Sequence, residues 1–308
     1  LSSSSAASDV YKRQEKGLTR NHLVQKVLLR SLKIYLVGLF LWLWPSFDFG
    51  RIRWVGVLPR IALVFMVCAL LFLYTKRKTQ WIIASVILVV YWLVMKYLSV
   101  PSIGTPDLSE PGKNWANYLD QNYLPGYLWR KTWDPEGILS SFPAVVSGLL
   151  GMMAGFILIS KAELKDKVLK LFVMAGILLI LGDIFQYLMP INKSVWSSSF
   201  VLITGGISCL LLALFVYWVD IKDNSSRFKM AQVFGMNAIF AYTLAGIFYI
   251  FFYSKKLWGI SFSTIFVEQA TAMGVAPKFA SLVYALLYVV IIWIPTHQLF
   301  KRNIYIKL

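Results

Sequence analysis

The chain has 308 residues but only two cysteines and two histidines. Cys68 and Cys209 both fall inside apolar runs, so neither a disulfide framework nor a CxxC metal site is available, and both are expected to act as small packing residues. His22 and His297 lie far apart without metal-ligand spacing, so no metal site is expected. Charge is scarce too. Asp, Glu, Lys and Arg make up 15% of the chain, against about a quarter in soluble domains. No basic stripe interleaved with exposed aromatics lies outside the flanks of the apolar runs. The net charge of +17 is therefore not read as a nucleic-acid footprint, and no nucleic acid is expected as a partner. No repeat relates one half of the chain to the other, which weakens an inverted-repeat transporter.

What is present is apolar. Hydrophobic residues make up 58% and aromatics 16%, and the mean hydropathy is +0.65. Repeated apolar runs of about twenty residues place the chain among polytopic all-α membrane proteins. Eight spans are predicted at about 31–47, 54–74, 80–98, 137–159, 168–189, 196–219, 233–253 and 279–299. Most of the 31 Lys and Arg fall before the first span or in 76–78, 161–170, 222–229 and 301–307. The positive-inside rule then puts both ends of the chain in the cytoplasm. Arg51, Arg53, Trp54, Arg60, the 99–136 loop and the Pro190–Trp196 turn are expected on the external face.

Residues 1–14, LSSSSAASDVYKRQ, resemble translated adapter sequence at the ends of metagenome-derived gene fragments. They are expected to be non-native, with a genuine N-terminal portion missing, which leaves 15–308 as one membrane domain. The stretch Tyr123–Leu158 is the most informative. A charged, aromatic loop turns at Asp134-Pro135-Glu136-Gly137 directly into an apolar run. Asp134 suits an N-cap, Pro135 the first helical position and Glu136 the positive end of the helix dipole. Ser140, Ala144, Ser147, Gly151 and Gly155 then recur at three- and four-residue spacing, a stripe expected to admit a closely packed neighbour.

Individual residues carry two readings each. Arg60 opens an apolar span, where a cation either pairs at a site or snorkels to the interface. Asp134 and Glu136 either cap a helix or bind an amine and assist proton transfer. Asp183 and Gln186 share a helix face near a span end, where the acid either faces the interior or a cavity or lies at the interface. Either Asn192 caps the next helix, with Trp196 in the aromatic belt and Lys193 solvated, or Lys193 and the capping amides form a small anion-binding corner. Asn237, in the first turn of a span, makes interhelical hydrogen bonds or meets a cofactor. Two cations and two carboxylates near a low-dielectric boundary are cheaper paired, so the outer ends of the second, fourth and sixth spans are expected to meet around one cavity. The alternative is a closed ion-pair cluster.

Four blocks act together: GVLPRIAL at 56–63, WDPEGIL with LLGMMAG at 133–155, MPINKSVWSSSFVL at 189–202, and FGMNAIFAY at 234–242. In this order and over nearly the whole chain after Gln14, they resemble the heparan-α-glucosaminide N-acetyltransferase family. The resemblance implies a multi-pass bacterial inner-membrane enzyme that moves an acetyl group from cytoplasmic acetyl-CoA to an amino sugar or glycan amine outside. It assigns Asp134 and Glu136 to catalysis, Arg60, Asn192, Lys193 and Trp196 to the substrate, and Asn237 to the cofactor.

The resemblance also implies about eleven helices, each long enough to span, and a catalytic histidine that neither His22 nor His297 matches. The 308-residue chain by itself is therefore expected to be inactive. Expected partners are the glycan substrate and the lipid bilayer, with a homo-oligomer left open. Such chemistry needs a base near the amine, donors for the developing oxyanion and basic loops for the CoA phosphates. The alternative is a multi-pass transporter or permease for a small polar or glycan-derived solute.

Overall fold

The computed structural model describes residues 19–255 and 257–306. The segment 1–14, expected to be non-native, lies outside the described residues. Two compact units form, one from the chain up to Trp42 with Asp48–Asn224, the other from Leu43–Phe47 with the chain from Ser225 onward. The described residues make helices and turns with two isolated β-bridges and no strand.

The first unit contains α1 (Arg20–Leu43, all but its last residue), α2 (Val57–Tyr74), α3 (Arg77–Tyr97), α4 (Trp115–Tyr123), α5 (Ser141–Ile159), α6 (Leu164–Gln186) and α7 (Ser198–Phe215), which continues as a π-helical turn over Val216–Ile221. The second contains α8 (Lys229–Met236), α9 (Ala238–Phe252), α10 (Phe262–Ala272) and α11 (Pro277–Lys301). Among the described residues, six helices are long and apolar enough to cross a membrane, or seven if the bent pair Ser225–Met236 and Ala238–Phe252 counts as one span. This is a polytopic membrane protein.

Eight spans are predicted from the sequence, and α1 is the difference. It is helical for 24 residues, but every stretch of it long enough to cross includes Lys26, Arg30 and Lys33, and charges at a span centre are costly.

Helix α5 is the axis of the first unit. Twelve of its 19 residues are buried, against five of 23 in α6, so α5 has neighbours on nearly every side. Its Val146, Leu149 and Leu150 join Cys68 of α2, Leu88 of α3, Leu171 and Ala175 of α6, and Val201 and Ala213 of α7 in one core. Hydrocarbon tails are as apolar as leucine, so these helices are held by close packing rather than by water exclusion. Glycine supplies that closeness between α6 and α7, where a Cβ at Gly182 would fall on the side chain and backbone nitrogen of Ile203 and one at Gly206 on the Leu179 side chain.

In the second unit a single helix was expected over 233–253, but it breaks at Asn237 with a bend of 73°. Asn237 is fully buried. Its Nδ2 donates to Ile304 O at 3.2 Å, and its Oδ1 accepts from Ile306 N at 2.9 Å. The amide binds the backbone of the C-terminal segment, and the helix gives way there. Helix α10, capped by Ser261 Oγ accepting from Thr264 N, was not foreseen because no apolar run marks it.

Candidate active site

The 99–136 segment folds on its own terms. Asn114 Oδ1 caps α4 through Asn117 N at 3.1 Å, and α4 then presents a buried Asp120. Residues Arg53 and Gly126 form an antiparallel bridge, with Tyr127 N donating to Ile52 O at 2.8 Å. Gly126 has φ +83, and a Cβ there would strike Ile52 O, so this close approach requires glycine.

The bridge delivers Arg53 to the turn at 134–136. Its Nε donates to Asp134 Oδ2 at 2.7 Å and its Nη2 to Asp134 Oδ1 at 2.6 Å. The same Nη2 donates to Glu136 Oε2 at 2.6 Å. Asp134 also accepts from Trp129 N at 3.0 Å and Glu136 N at 2.9 Å. A two-pronged guanidinium–carboxylate pair of this kind is among the stronger polar contacts available to a protein. Trp42 and Trp129 lie against the Arg53 guanidinium at 5.6 and 5.1 Å from their ring centroids, close enough for cation–π attraction.

Asp134 therefore does not cap a helix as the sequence suggested. Helix α5 begins at Ser141, and Asp134 holds a turn seven residues earlier because its partner in the fold is a guanidinium. The turn is secured from below by Asp120, which accepts from Asp134 N at 3.2 Å and Ile138 N at 2.9 Å. Sequence reasoning missed the roles of Arg53 and Asp120. Their partners lie 81 and 14 residues away, and no local pattern reports that.

Burial opposes the charge on Asp134, but the hydrogen bonds and charge of Arg53, with the Trp129 and Glu136 amides, outweigh it and hold its pKa below the ordinary carboxylate value. Burial likewise acts to lower the pKa of Arg53, and Asp134 and Glu136 reverse the balance and raise it. Asp120 goes the other way. Burial pushes its carboxyl up to about 6, opposed by the Ile138 and Asp134 amides and reinforced by the Asp134 charge.

Arg60, in the first turn of α2, is buried at 7% exposure. Its Nη2 donates to Pro135 O and to Ser140 Oγ, both at 2.5 Å, whereas its Nε and Nη1 are buried without a hydrogen-bond partner. The guanidinium lies over the Trp196 ring, 5.0 Å from its centroid, and Trp196 Nε1 donates to Ser147 Oγ at 3.1 Å. Arg60, Glu136, Lys193 and Trp196 line one cavity of about 720 Å³. Arg60 and Glu136 also line a second cavity of about 340 Å³, between α1 and α2. Glu136 uses Oε2 for the ion pair with Arg53.

Residues from the ends of three predicted spans thus line one cavity, with two adjustments. Asn192 does not cap α7, whose cap is Ser197 Oγ accepting from Phe200 N. Asn192 Oδ1 instead accepts from Ser194 N at 2.8 Å and shapes the turn that carries Lys193 and Trp196. The small-residue stripe also works differently. Contact with α2 falls at Gly148, where a Cβ would meet Val64 and Cys68, while a Cβ at Gly151 would meet nothing within 4 Å. Ala144, Ser147 and Gly151 line the larger cavity, so the stripe leaves volume instead of admitting a helix. Asp183 is exposed rather than turned inward, and it accepts from Gln186 Nε2 at 2.5 Å. Among the described residues, no group of three or more His, Cys, Asp or Glu is placed to hold a metal.

Human heparan-α-glucosaminide N-acetyltransferase is 25% identical to this chain over 285 residues, covering 74% of the chain and 42% of the human protein. The mouse enzyme of the same name is 23% identical over 284 residues, with coverage of 74% and 43%. The chain is a distant relative of the heparan-α-glucosaminide N-acetyltransferases. It spans less than half the length of these curated relatives. No protein-family model matches it.

Proposed function

We propose that the chain forms part of a membrane-embedded acetyltransferase. The enzyme takes an acetyl group from cytoplasmic acetyl-CoA and transfers it to the amine of an amino sugar or glycan on the external side of a bacterial inner membrane. Both chain ends then lie in the cytoplasm, with the 99–136 segment outside, as the Lys and Arg distribution favours. One observation carries the reading beyond the kinship with N-acetyltransferases: Arg60 and Glu136 line two separate cavities at once. A transfer between two substrates needs such shared side chains, with a donor approaching from one cavity and an acceptor from the other.

Glu136 Oε1 takes the proton of the attacking amine as the N–C bond forms. The unpartnered Nε and Nη1 of Arg60 stabilise the oxyanion that develops on the acetyl carbonyl before the C–S bond breaks and the thiolate leaves. Lys193 and Trp196 hold the sugar. Asp134 acts as a positioning residue through Arg53 and the 134–136 turn, since its side chain is fully buried. Asn237 serves by fixing the C-terminal segment.

The test is acetyl transfer in membrane vesicles carrying the full gene product, with labelled acetyl-CoA and a glucosamine acceptor. Labelled N-acetyl product that disappears in Glu136→Gln, with the protein still folded, is the expected result. Uptake of the amino sugar without acetylation would overturn the reading in favour of a permease.

A further inference from the structure

The larger cavity is too apolar and too long for a soluble sugar. It follows α2 from Val57 to Phe72, about 22 Å of helix at 1.5 Å per residue. Its charged groups all belong to its first part: Arg60, Glu136 and Lys193. Beyond them the walls are Val64, Phe65, Cys68, Phe72 and Met152. Sugar hydroxyls placed against those walls would have no hydrogen-bond partners, which is costly away from water.

We propose that this cavity binds a lipid-borne acceptor, an amino-sugar head carried on a single aliphatic tail. The head lies among Arg60, Glu136, Lys193 and Trp196, and the tail runs between α2 and α5 toward Phe72. The reacting amine in this proposal rests on the acetyltransferase reading, while the path of the tail rests on the cavity alone. Two observations favour an occupant of this chemistry. Arg60, buried at 7% exposure, lines the cavity and keeps Nε and Nη1 without a protein acceptor, an unmet demand that hydroxyl or phosphate oxygens of a head group would satisfy. Gly151, facing the tail section, leaves open space where any side chain would project. The arrangement is that of a membrane lipid, with the polar end at the helix starts and the apolar end alongside the helices. A tail leaving the bilayer for an apolar groove gains little by hydrophobicity, so recognition resides in the head.

The experiment uses the 308-residue chain in phosphatidylcholine nanodiscs. The probe is a glucosamine glycoside of an aliphatic chain about twelve carbons long, shorter than the roughly 22 Å of helix the cavity follows, with a photoreactive diazirine at mid-chain. The expected labels fall on peptides containing Val64–Phe72 and Ser147–Met152. Excess unlabelled glycoside of the same tail lowers that labelling at least fivefold, whereas the matching glucoside without the amine, or free glucosamine, lowers it less than twofold. Gly151→Leu, which fills the tail section, also lowers it at least fivefold. Labels spread over all lipid-facing helices, or equal competition by the amine-free glucoside, would overturn the proposal. So would unchanged labelling in a folded Gly151→Leu. If that variant does not fold, the wild-type competition alone decides. Head-selective labelling, with no acetyl transfer by the full gene product in vesicles, would sink the enzyme reading and keep the site. Full-rate acetylation of free glucosamine without cavity labelling would do the reverse.

Discussion

Arg53 and Arg60 are equally buried, at 8% and 7% exposure, and both approach the same turn, yet they are held in different ways. Arg53 has two carboxylates and two indole rings around it. Arg60 has a carbonyl, a hydroxyl and one ring, with two nitrogens left unpartnered. A buried charge that is fully matched fixes local structure, and removing its partner is strongly destabilising. A buried charge that is only half matched holds donors ready for something else. The first arginine builds the 134–136 turn, and the second keeps two nitrogens without a hydrogen-bond partner in the protein.

The comparison breaks most visibly at Arg53. Replacing it with Ala leaves Asp134 buried without a counter-ion, and a loss of about 3–5 kcal/mol is expected. Thermal unfolding of the purified protein in detergent measures it. If the midpoint barely moves, Arg53 is not the anchor assigned here.

The pH dependence of unfolding should come next. Asp120 has a folded pKa of about 6, above its unfolded value, so the folded state binds the proton more tightly. Its stabilising contribution is complete below about pH 4 and is lost as the pH rises through 6, by about 2–3 kcal/mol at most. Asp134, with its pKa lowered, acts in the opposite sense, and its contribution fades as the pH falls below the ordinary carboxylate range. Asp120→Asn should flatten the pH 4–6 slope in urea melts, and an unaltered slope would assign it to another group.

Gly137→Ala tests the floor of the turn. A methyl there would fall on the Asp120 carboxylate, and about 1–3 kcal/mol of destabilisation is expected from overpacking. Wild-type stability would show that Asp120 moves freely.

Arg60→Met sharpens the contrast. It removes two buried unpartnered donors along with the charge, so it should change stability by less than about 1.5 kcal/mol while abolishing acetyl transfer by the full gene product. Unfolding on the scale of Arg53→Ala would make Arg60 a structural anchor as well. The smallest effect is expected at Lys113→Ala. Lys113 meets Glu110 at 2.7 Å with both side chains more than half exposed, and such pairs contribute little. The unfolding midpoint should stay within error at any salt concentration.

The spans were legible because transfer into a bilayer is decided by local composition, so the predicted 54–74 run became α2 and the predicted 279–299 run lies within α11. Arg60, Glu136, Lys193 and Trp196, which line one cavity, stood out in the sequence as costly or unusual residues at span ends. Asp134 was misread because the same Asp-Pro-Glu stretch serves a helix cap or a guanidinium clamp, and the choice depends on Arg53. Asn237 was read as a residue inside a span, although its partners lie at 304–306.

By itself, then, the sequence determined that the chain is a helical membrane protein and which span ends carry charge, because hydropathy and periodicity are properties of neighbouring residues. Only the tertiary structure decided which charge pairs with which, where the helices break, and that Gly151 faces a cavity while Gly148 packs on α2. Those outcomes depend on partners brought close by folding, where a buried polar group takes whichever acceptor or donor the packing places within reach.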